Sequence, residues 1–188
     1  MLLHLMFAVL SFHLLPQAIL DRTLAIVNGQ IITLSDLRTE QTLRKVLNEK
    51  PMDDRALLEN LIDQRLVHSY IWQYPDAEPT KEEVDRRMST IKDTEGLSLE
   101  VIRDAVEERF RIKRFYEKRF VQFATVSDDE VQKYYDDVIA PSSGVAVIPA
   151  LDDVIDSVRV QLLREKAAKE AQEWLKSTRR TAHIEILN

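Results

Sequence analysis

The four histidines are the side chains best able to bind a metal ion or to transfer protons near neutral pH. They are His4, His13, His68 and His183. Nothing that flanks His68 or His183 in the sequence completes the closely spaced ligand set that metal sites use. We therefore expect these two to have solvent-facing or core roles, and we expect neither a metal ion nor another cofactor.

The pairs of adjacent aspartates that precede predicted helices could supply catalytic carboxylates: Asp53-Asp54, Asp128-Asp129 and Asp152-Asp153. Each pair stands at a predicted helix start, where the helix dipole stabilises negative charge. This placement explains the pairs without catalysis. The chain also has no cysteine and no nucleophile-elbow, phosphate-loop or dinucleotide motif. The sequence therefore predicts no catalytic site.

Aromatic side chains are instead concentrated in one third of the sequence. More than half of them are expected to pack in the core, and the others could form the floor of an apolar groove with a charged rim. Such a groove binds extended, unfolded polypeptide through buried area. The candidate polypeptide-binding residues are Phe110, Phe115, Tyr116, Phe120, Tyr134 and Tyr135.

Composition indicates that helices position these side chains. The 188 residues are 45% hydrophobic and 31% charged, which is typical of a globular chain, and only three are glycine. So few glycines argue against a turn-rich β protein or a nucleotide-binding loop. The net charge of −6 does not favour binding to nucleic acid.

Residues 1–18 resemble the apolar region of a secretory signal, with Ala18 as a small residue at a cleavage position. The apolar run is shorter than the roughly 20 residues of a membrane-spanning helix. This pattern predicts export. Because no Lys or Arg precedes the run, an uncleaved N-terminal anchor and an apolar first helix buried in the fold both remain open.

Residues 23–33 predict a β-hairpin, because an apolar run is followed by Asn28-Gly29, a strong hairpin signal. Helix-capping residues then open a series of helices. These are expected at about 36–48 after Ser35, at 54–73, from Thr80, from Ser98 to about 122, from Ser127, and at 151–178.

The two chain ends are expected to join in one small sheet. Residues 182–187 alternate in polarity and predict a strand, which cannot stand alone, and the hairpin offers the only other strands. The uncharged segment 140–150 is interpreted as a connector. We therefore predict a mainly α fold over 19–188, a single domain with a small sheet built from both ends.

Four motifs in this order resemble the SurA-type periplasmic chaperones. Residues 21–37 resemble the start of the mature chaperones, and residues 57–67 resemble their L-x-x-L-I-D-x-x-L helix. Residues 126–135 are similar to the V-S-D-x-E-V-x-x-Y-Y segment before their isomerase domain, and residues 171–187 resemble their closing helix and strand. Together the motifs cover nearly all of residues 21–187.

The resemblance implies a SurA-like or trigger-factor-like helical chaperone module. It also implies a periplasmic location and binding of unfolded outer-membrane proteins. In that family a parvulin-type isomerase domain should follow Tyr135, but only the connector at 140–150 occupies that place. No parvulin glycine motif or histidine pair is found, so the sequence predicts a chaperone and not an enzyme.

Two other functions remain open at this stage. One is a prolyl cis-trans isomerase family member with a residual or accessory role, and the other is a helical adaptor with one fixed partner. A homodimer formed by exchange of the terminal helix is a further expectation, because the connector could act as a hinge.

Overall fold

The computed structural model describes residues 21–140 and 149–187. The predicted signal or anchor at 1–18 lies outside the described residues, and so does most of the connector at 140–150. Within the described ranges, no helix combines the length and the apolar character that crossing a membrane requires.

The described residues form helices with one small sheet, as the sequence predicts. The elements are β1 (Thr23–Val27), β2 (Gln30–Thr33), α1 (Leu34–Val46), α2 (Asp54–Ile71), α3 (Lys81–Met88), α4 (Leu99–Tyr116), α5 (Asp128–Tyr134), α6 (Leu151–Thr181) and β3 (Ile184–Ile186). A short 3-10 turn at Pro75–Ala77 precedes α3, and π-helical turns at Glu117–Val121 and Tyr135–Ile139 extend α4 and α5.

The predicted closure of the sheet by the two chain ends is confirmed. The strand order is β2-β1-β3, and β1 pairs antiparallel with β3 in a register that places Ala25 opposite Ile186. Asn28 and Gly29 form the hairpin turn with φ of 49° and 83°. The Asn28 N–H also donates to the His183 carbonyl at 2.8 Å, which ties this turn to the far end of the chain.

The first helix begins two residues earlier than Ser35 predicts. Thr33 is the N-cap: its hydroxyl accepts from the Asp36 N–H at 3.2 Å, and its own N–H donates to the Asp36 carboxylate at 2.9 Å. The Ser35 N–H instead donates to Asp21 at 3.1 Å. The last strand residue thus becomes the cap of α1, and no loop separates the sheet from the helix.

The core consists of three clusters that follow the helix contacts. The first packs the sheet against α1 and α2, with Ala25, Ile32, Leu57 and Ile62 fully buried. The second joins α1, α3 and α4. The third joins α2, the end of α4 and the middle of α6 around the fully buried Phe115.

The long helix α6 packs against α2, α5 and the π turn after α4. Arg179 near its end donates to both Asp63 and Glu59 of α2. Burial raises the pKa of the Asp63 carboxyl, while Arg179 opposes that shift. These contacts fix α6 beside α2 and the π turn that follows α4, so α6 forms one wall of the space beside that turn.

Candidate functional site

Phe115 is the centre of an aromatic cluster and not a surface residue. It is 0% exposed, and its ring centroid lies 5.2 Å from that of Tyr74, 5.5 Å from that of Tyr116 and 5.3 Å from that of Trp174. Phe120, 6% exposed, meets it edge to face at 6.3 Å. Such edge contacts stabilise the packing beyond the buried area alone. Phe115 is therefore a core residue that packs against Tyr116 and Phe120.

Arg119 covers one side of this cluster. Its guanidinium carbon lies 5.1 Å from the Trp174 ring centroid and 5.6 Å from that of Phe120, within the range of a cation–π interaction. Its Nη1 donates to the Tyr74 hydroxyl at 3.1 Å. The Arg119 guanidinium thus contacts the rings of Trp174 and Phe120 and the hydroxyl of Tyr74, and it links these residues of the cluster.

An open cavity of about 420 Å³ lies between the end of α4 and α6, and its wall is almost entirely apolar. We call it the α6 cavity. Tyr116 and Phe120 line it, so two of the candidate residues stand where an extended polypeptide could reach them. The full lining is Tyr116, Phe120, Val121, Arg164, Ala167, Ala168, Ala171, Gln172 and Leu175.

A second cavity, of about 360 Å³, lies next to the α6 cavity, and Tyr116 and Leu175 line both. Its other lining mixes charged and amide side chains with Val67 and Ile112, and we call it the polar cavity. Burial raises the pKa of the Tyr116 phenol, and the charge of Asp63 raises it further. The lining is Arg44, Glu49, Asn60, Asp63, Gln64, Val67, Arg109, Ile112, Lys113, Tyr116 and Leu175.

A third cavity, of about 200 Å³, contains Phe110, and we call it the Phe110 cavity. It shares Glu49, Arg109 and Lys113 with the polar cavity. Its lining is Leu47, Glu49, Arg87, Val106, Arg109, Phe110 and Lys113.

Residues of α4 line all three cavities. Phe110 and Tyr116 are six residues apart, so on a helix of 3.6 residues per turn their side chains point about 120° apart. Phe110 therefore belongs to a different cavity from Tyr116 and Phe120.

Tyr134 and Tyr135 lie apart from these cavities. Both are half-buried at the end of α5, and neither lines the three cavities. The Tyr135 hydroxyl donates to the Pro149 carbonyl at 2.8 Å, so it links α5 to the segment before α6. The structure thus places Tyr116 and Phe120 at the α6 cavity and Phe110 at another, and leaves these two tyrosines outside all three.

A buried ionic network supports the polar cavity. Arg109 donates to Glu40 at 2.6 Å and to Glu49 at 3.1 Å, and the Glu40 side chain is only 5% exposed. Arg44 approaches the same two carboxylates at 3.8 and 3.3 Å. Burial opposes the charge of Arg109, but the paired carboxylates outweigh it and raise the Arg109 pKa above its ordinary value.

Sequence reasoning missed the α6 wall. Ala167, Ala168 and Ala171 lie on one face of α6 and leave room opposite Phe120, and Arg164 stands at one end of them. The sequence contains a signal for this wall, because the three alanines at 167, 168 and 171 are spaced by one and three residues. Sequence patterns alone attribute such alanines to close packing, because they do not reveal which neighbour is absent.

Glu130 of α5 forms an ion pair with Lys166 of α6, which directly precedes Ala167 of the α6 cavity. It completes the predicted capping box with Ser127, and Lys166 donates to it at 2.8 Å and to the Thr125 carbonyl at the same distance. The hydrogen bond from Lys166 is the largest cause that lowers the pKa of Glu130 below its ordinary 4.5, followed by the Ser127 N–H.

We expect the Glu130→Gln variant to be less stable than the unmodified protein at pH 7, and we expect this deficit to be smaller at pH 3. A lowered folded-state pKa means that the stabilisation is complete above pH 4.5 and is lost as the pH falls through the lower folded value. Urea unfolding followed by circular dichroism at both pH values measures this. Glu173→Gln, on the exposed side of α6, is the control. An equal loss at both pH values would contradict the assigned ion pair.

The described histidines each face one carboxylate: His68 meets Glu108 at 2.9 Å, and His183 meets Glu185 at 2.9 Å. Within residues 21–140 and 149–187, no group of three or more histidine or acidic side chains is arranged to hold a metal ion. The α6 cavity offers apolar contact, and the polar cavity offers ionic contact as well.

Comparison with known proteins is informative about the fold. No family model matches the sequence, and no curated protein matches it. Among solved structures, the chain is similar to one of two structurally related SurA-like chaperones of the human pathogen Campylobacter jejuni, the virulence factor PEB4 and the periplasmic protein Cj1289. The TM-score is 0.60 at 14% identity, over 89% of this chain and 100% of that chain. The predicted SurA-like fold is confirmed.

Proposed function

We propose that this protein is an ATP-independent chaperone that holds unfolded polypeptides. The observation that carries the proposal is the open α6 cavity, about 420 Å³ with an almost wholly apolar wall, in a SurA-like fold. Apolar contact is non-directional, so such a site accepts many sequences as long as they bring apolar surface. A holding chaperone requires this property, because its clients share no sequence.

The clients we propose are exported chains, in particular unfolded outer-membrane proteins in the periplasm. The signal-like residues 1–18 support export. The description of the matched structure names two SurA-like chaperones, one of them a periplasmic protein, and this chain shares their fold. Unfolded outer-membrane strands alternate apolar and polar residues, so they offer apolar side chains at regular intervals to such a cavity. Catalysis is not part of the proposal.

An aggregation assay tests the proposed function directly. An outer-membrane protein unfolded in urea is diluted into buffer with and without equimolar purified protein, and light scattering is followed. We expect the protein to suppress scattering without ATP. Unchanged scattering would overturn the proposal. A proline-peptide isomerisation assay in parallel is expected to give the uncatalysed rate.

We expect Ala168→Glu to weaken aggregation suppression, so that about tenfold more protein is needed. The substitution places a charge in the apolar wall, where a bound apolar side chain would desolvate it. Ala168 is exposed and glutamate favours helices, so the fold should tolerate the change.

Ser177→Glu is the matched control for this variant. It adds the same charge to an exposed position of α6 that lies outside the cavity. It should suppress aggregation as well as the unmodified protein does. Equal activity of the Ala168→Glu variant and the control would remove the α6 cavity from the binding site.

A further inference from the structure

We propose that the α6 cavity prefers extended client segments in which an acidic side chain lies two residues from a large apolar one. This inference rests on the proposed function and specifies which segments the same site takes. Its basis is Arg164, a cation at the edge of an apolar wall that has no acidic partner among the described residues.

Arg164 sets the charge of the α6 cavity. Among the described residues that line this cavity, only Arg164 is charged, and all the others except Gln172 are apolar or aromatic. The Gln172 amide can both donate and accept hydrogen bonds, so it favours neither sign of charge. The cavity therefore presents one positive group beside its apolar wall and no negative group.

The helix itself gives Arg164 no counter-charge. A helical side chain meets those three and four residues away, and around Arg164 none of these is acidic. They are Val160, Gln161, Ala167 and Ala168. Glu165 follows directly but points about 100° away, and its carboxylate accepts from Gln161 at 2.7 Å.

The neighbouring cations of α6 differ from Arg164 because acids of α5 hold them. Arg159 donates to Asp128 at 2.7 Å, and Lys166 donates to Glu130 at 2.8 Å. These two carboxylates are engaged with other cations. Within residues 21–140 and 149–187, the Arg164 guanidinium forms no ion pair and no hydrogen bond, so its charge is left for a bound client.

The spacing follows from the position of Arg164 along α6. Arg164 precedes Ala168 by four residues, or about 6 Å along the helix axis. In an extended chain, side chains two residues apart are about 6.6 Å apart and point to the same face. If a client segment runs along α6 with an apolar side chain at Ala168, the side chain two positions away lies beside Arg164. A side chain one position away points to the opposite face.

A carboxylate is the group that suits this position. It can accept two parallel hydrogen bonds from a guanidinium, and the interaction strengthens as the client excludes water from the apolar wall. A basic side chain there would add like-charge repulsion. An apolar side chain would remove water from Arg164 without replacing its hydrogen bonds, which costs free energy. The apolar wall supplies the area for binding, and Arg164 selects among segments of equal apolar content.

Three labelled peptides test the inference by fluorescence anisotropy with the full chain. Each repeats a four-residue unit three times, and the units are Ile-Thr-Glu-Thr, Ile-Thr-Lys-Thr and Ile-Glu-Thr-Thr. The first two place the charge two residues from isoleucine, and the third has the composition of the first with the charge on the opposite face. Isoleucine and threonine favour an extended backbone. Salt at about 0.15 M screens the net charge of the protein.

We expect the first peptide to bind about threefold more tightly than either of the others. This is the difference that one ion pair with an exposed arginine allows. Equal binding of the first and third peptides would contradict the spacing, and equal or tighter binding of the lysine peptide would contradict the charge preference. Either result, or the absence of binding by all three, would overturn the inference.

Charge reversal at Arg164 supplies the decisive comparison. Arg164→Glu should abolish or reverse the preference for the first peptide over the lysine peptide. Lys169→Glu makes the same change in net charge at an exposed position of α6 outside the cavity, and it should leave most of the preference intact. Both positions are exposed and glutamate favours helices, so both variants should fold. A preference that survives in Arg164→Glu, or that falls equally in the two variants, would overturn the inference.

The peptide and aggregation assays separate the two proposals. If aggregation is suppressed but the first peptide has no advantage, the charge preference is wrong and the chaperone function stands. If the first peptide binds selectively but aggregation proceeds unchanged, the charge preference stands and the chaperone function is wrong.

Discussion

Phe115→Ala should lower the free energy of unfolding by about 3–5 kcal/mol, the range for truncating a buried phenylalanine. Phe115 has no exposed surface, and four aromatic rings surround it: those of Tyr74 after α2, Tyr116 at the end of α4, Phe120 in the π turn and Trp174 of α6. The truncation leaves a cavity that rigid neighbouring rings fill poorly. Urea unfolding followed by circular dichroism measures the loss.

Phe123→Ala is the matched control for this prediction. Phe123 follows the π turn after α4 and is 73% exposed, so its truncation should change stability by no more than about 0.5 kcal/mol. Should the two variants lose similar stability, Phe115 would not be the centre of the third core cluster. The contrast also separates core from surface among aromatic residues that look alike in the sequence.

Glu40→Ala should cost about 3 kcal/mol of folding free energy. It removes one carboxylate of a buried ionic network and leaves Arg109 with Glu49 alone. Breaking a buried pair costs about 3–5 kcal/mol because the remaining charge stays buried, and Glu49 moves the expected loss to the lower end. The measurement is again urea unfolding, with the exposed Glu170→Ala as the control.

The double variant Glu40→Leu with Arg109→Met tests the cause of that loss. Replacing both ions by apolar side chains of similar size removes the unpaired charge, so most of the stability should return. If the double variant were as unstable as the sum of the single ones, lost packing would explain the effect and the ion pair would not.

Local signals predicted the elements because each depends on a few neighbouring residues. Asn28-Gly29 specifies the hairpin turn through its left-handed backbone, and Thr80 and Ser127 form their capping boxes as expected. The α1 cap was wrong by two residues because Thr33 and Ser35 are both good caps. The choice fell to Thr33 because Asp36 can reach back only to a cap three residues before it.

The candidate site was harder to predict, because it depends on helix rotation and on the facing wall. The sequence predicts one helix from Ser98 to about 122, but Glu117–Val121 form a π turn. A π turn adds one residue to the helical repeat and so rotates every following side chain. Phe120 thereby comes to lie beside both the buried cluster and the α6 cavity.

The facing wall depends on pairing between distant segments. Three alanines of α6 leave space opposite Phe120, and no local pattern states which helix will stand there. Tyr134 and Tyr135 illustrate the converse: they are aromatic like Tyr116 and Phe120, yet they lie at the end of α5 and line none of the three cavities. Aromatic content alone therefore does not say which residues line a cavity, because helix packing decides that.

The position of β1 between β2 and β3 imposes an order on folding. The hairpin can form from neighbouring residues, while β3 lies about 150 residues further along the chain, so closing the sheet requires a long loop to be ordered. Until β3 pairs, one edge of β1 carries an open row of backbone donors and acceptors that can pair with another extended segment. Partly folded chains are therefore expected to associate through this edge, and the pairing of β3 removes that route.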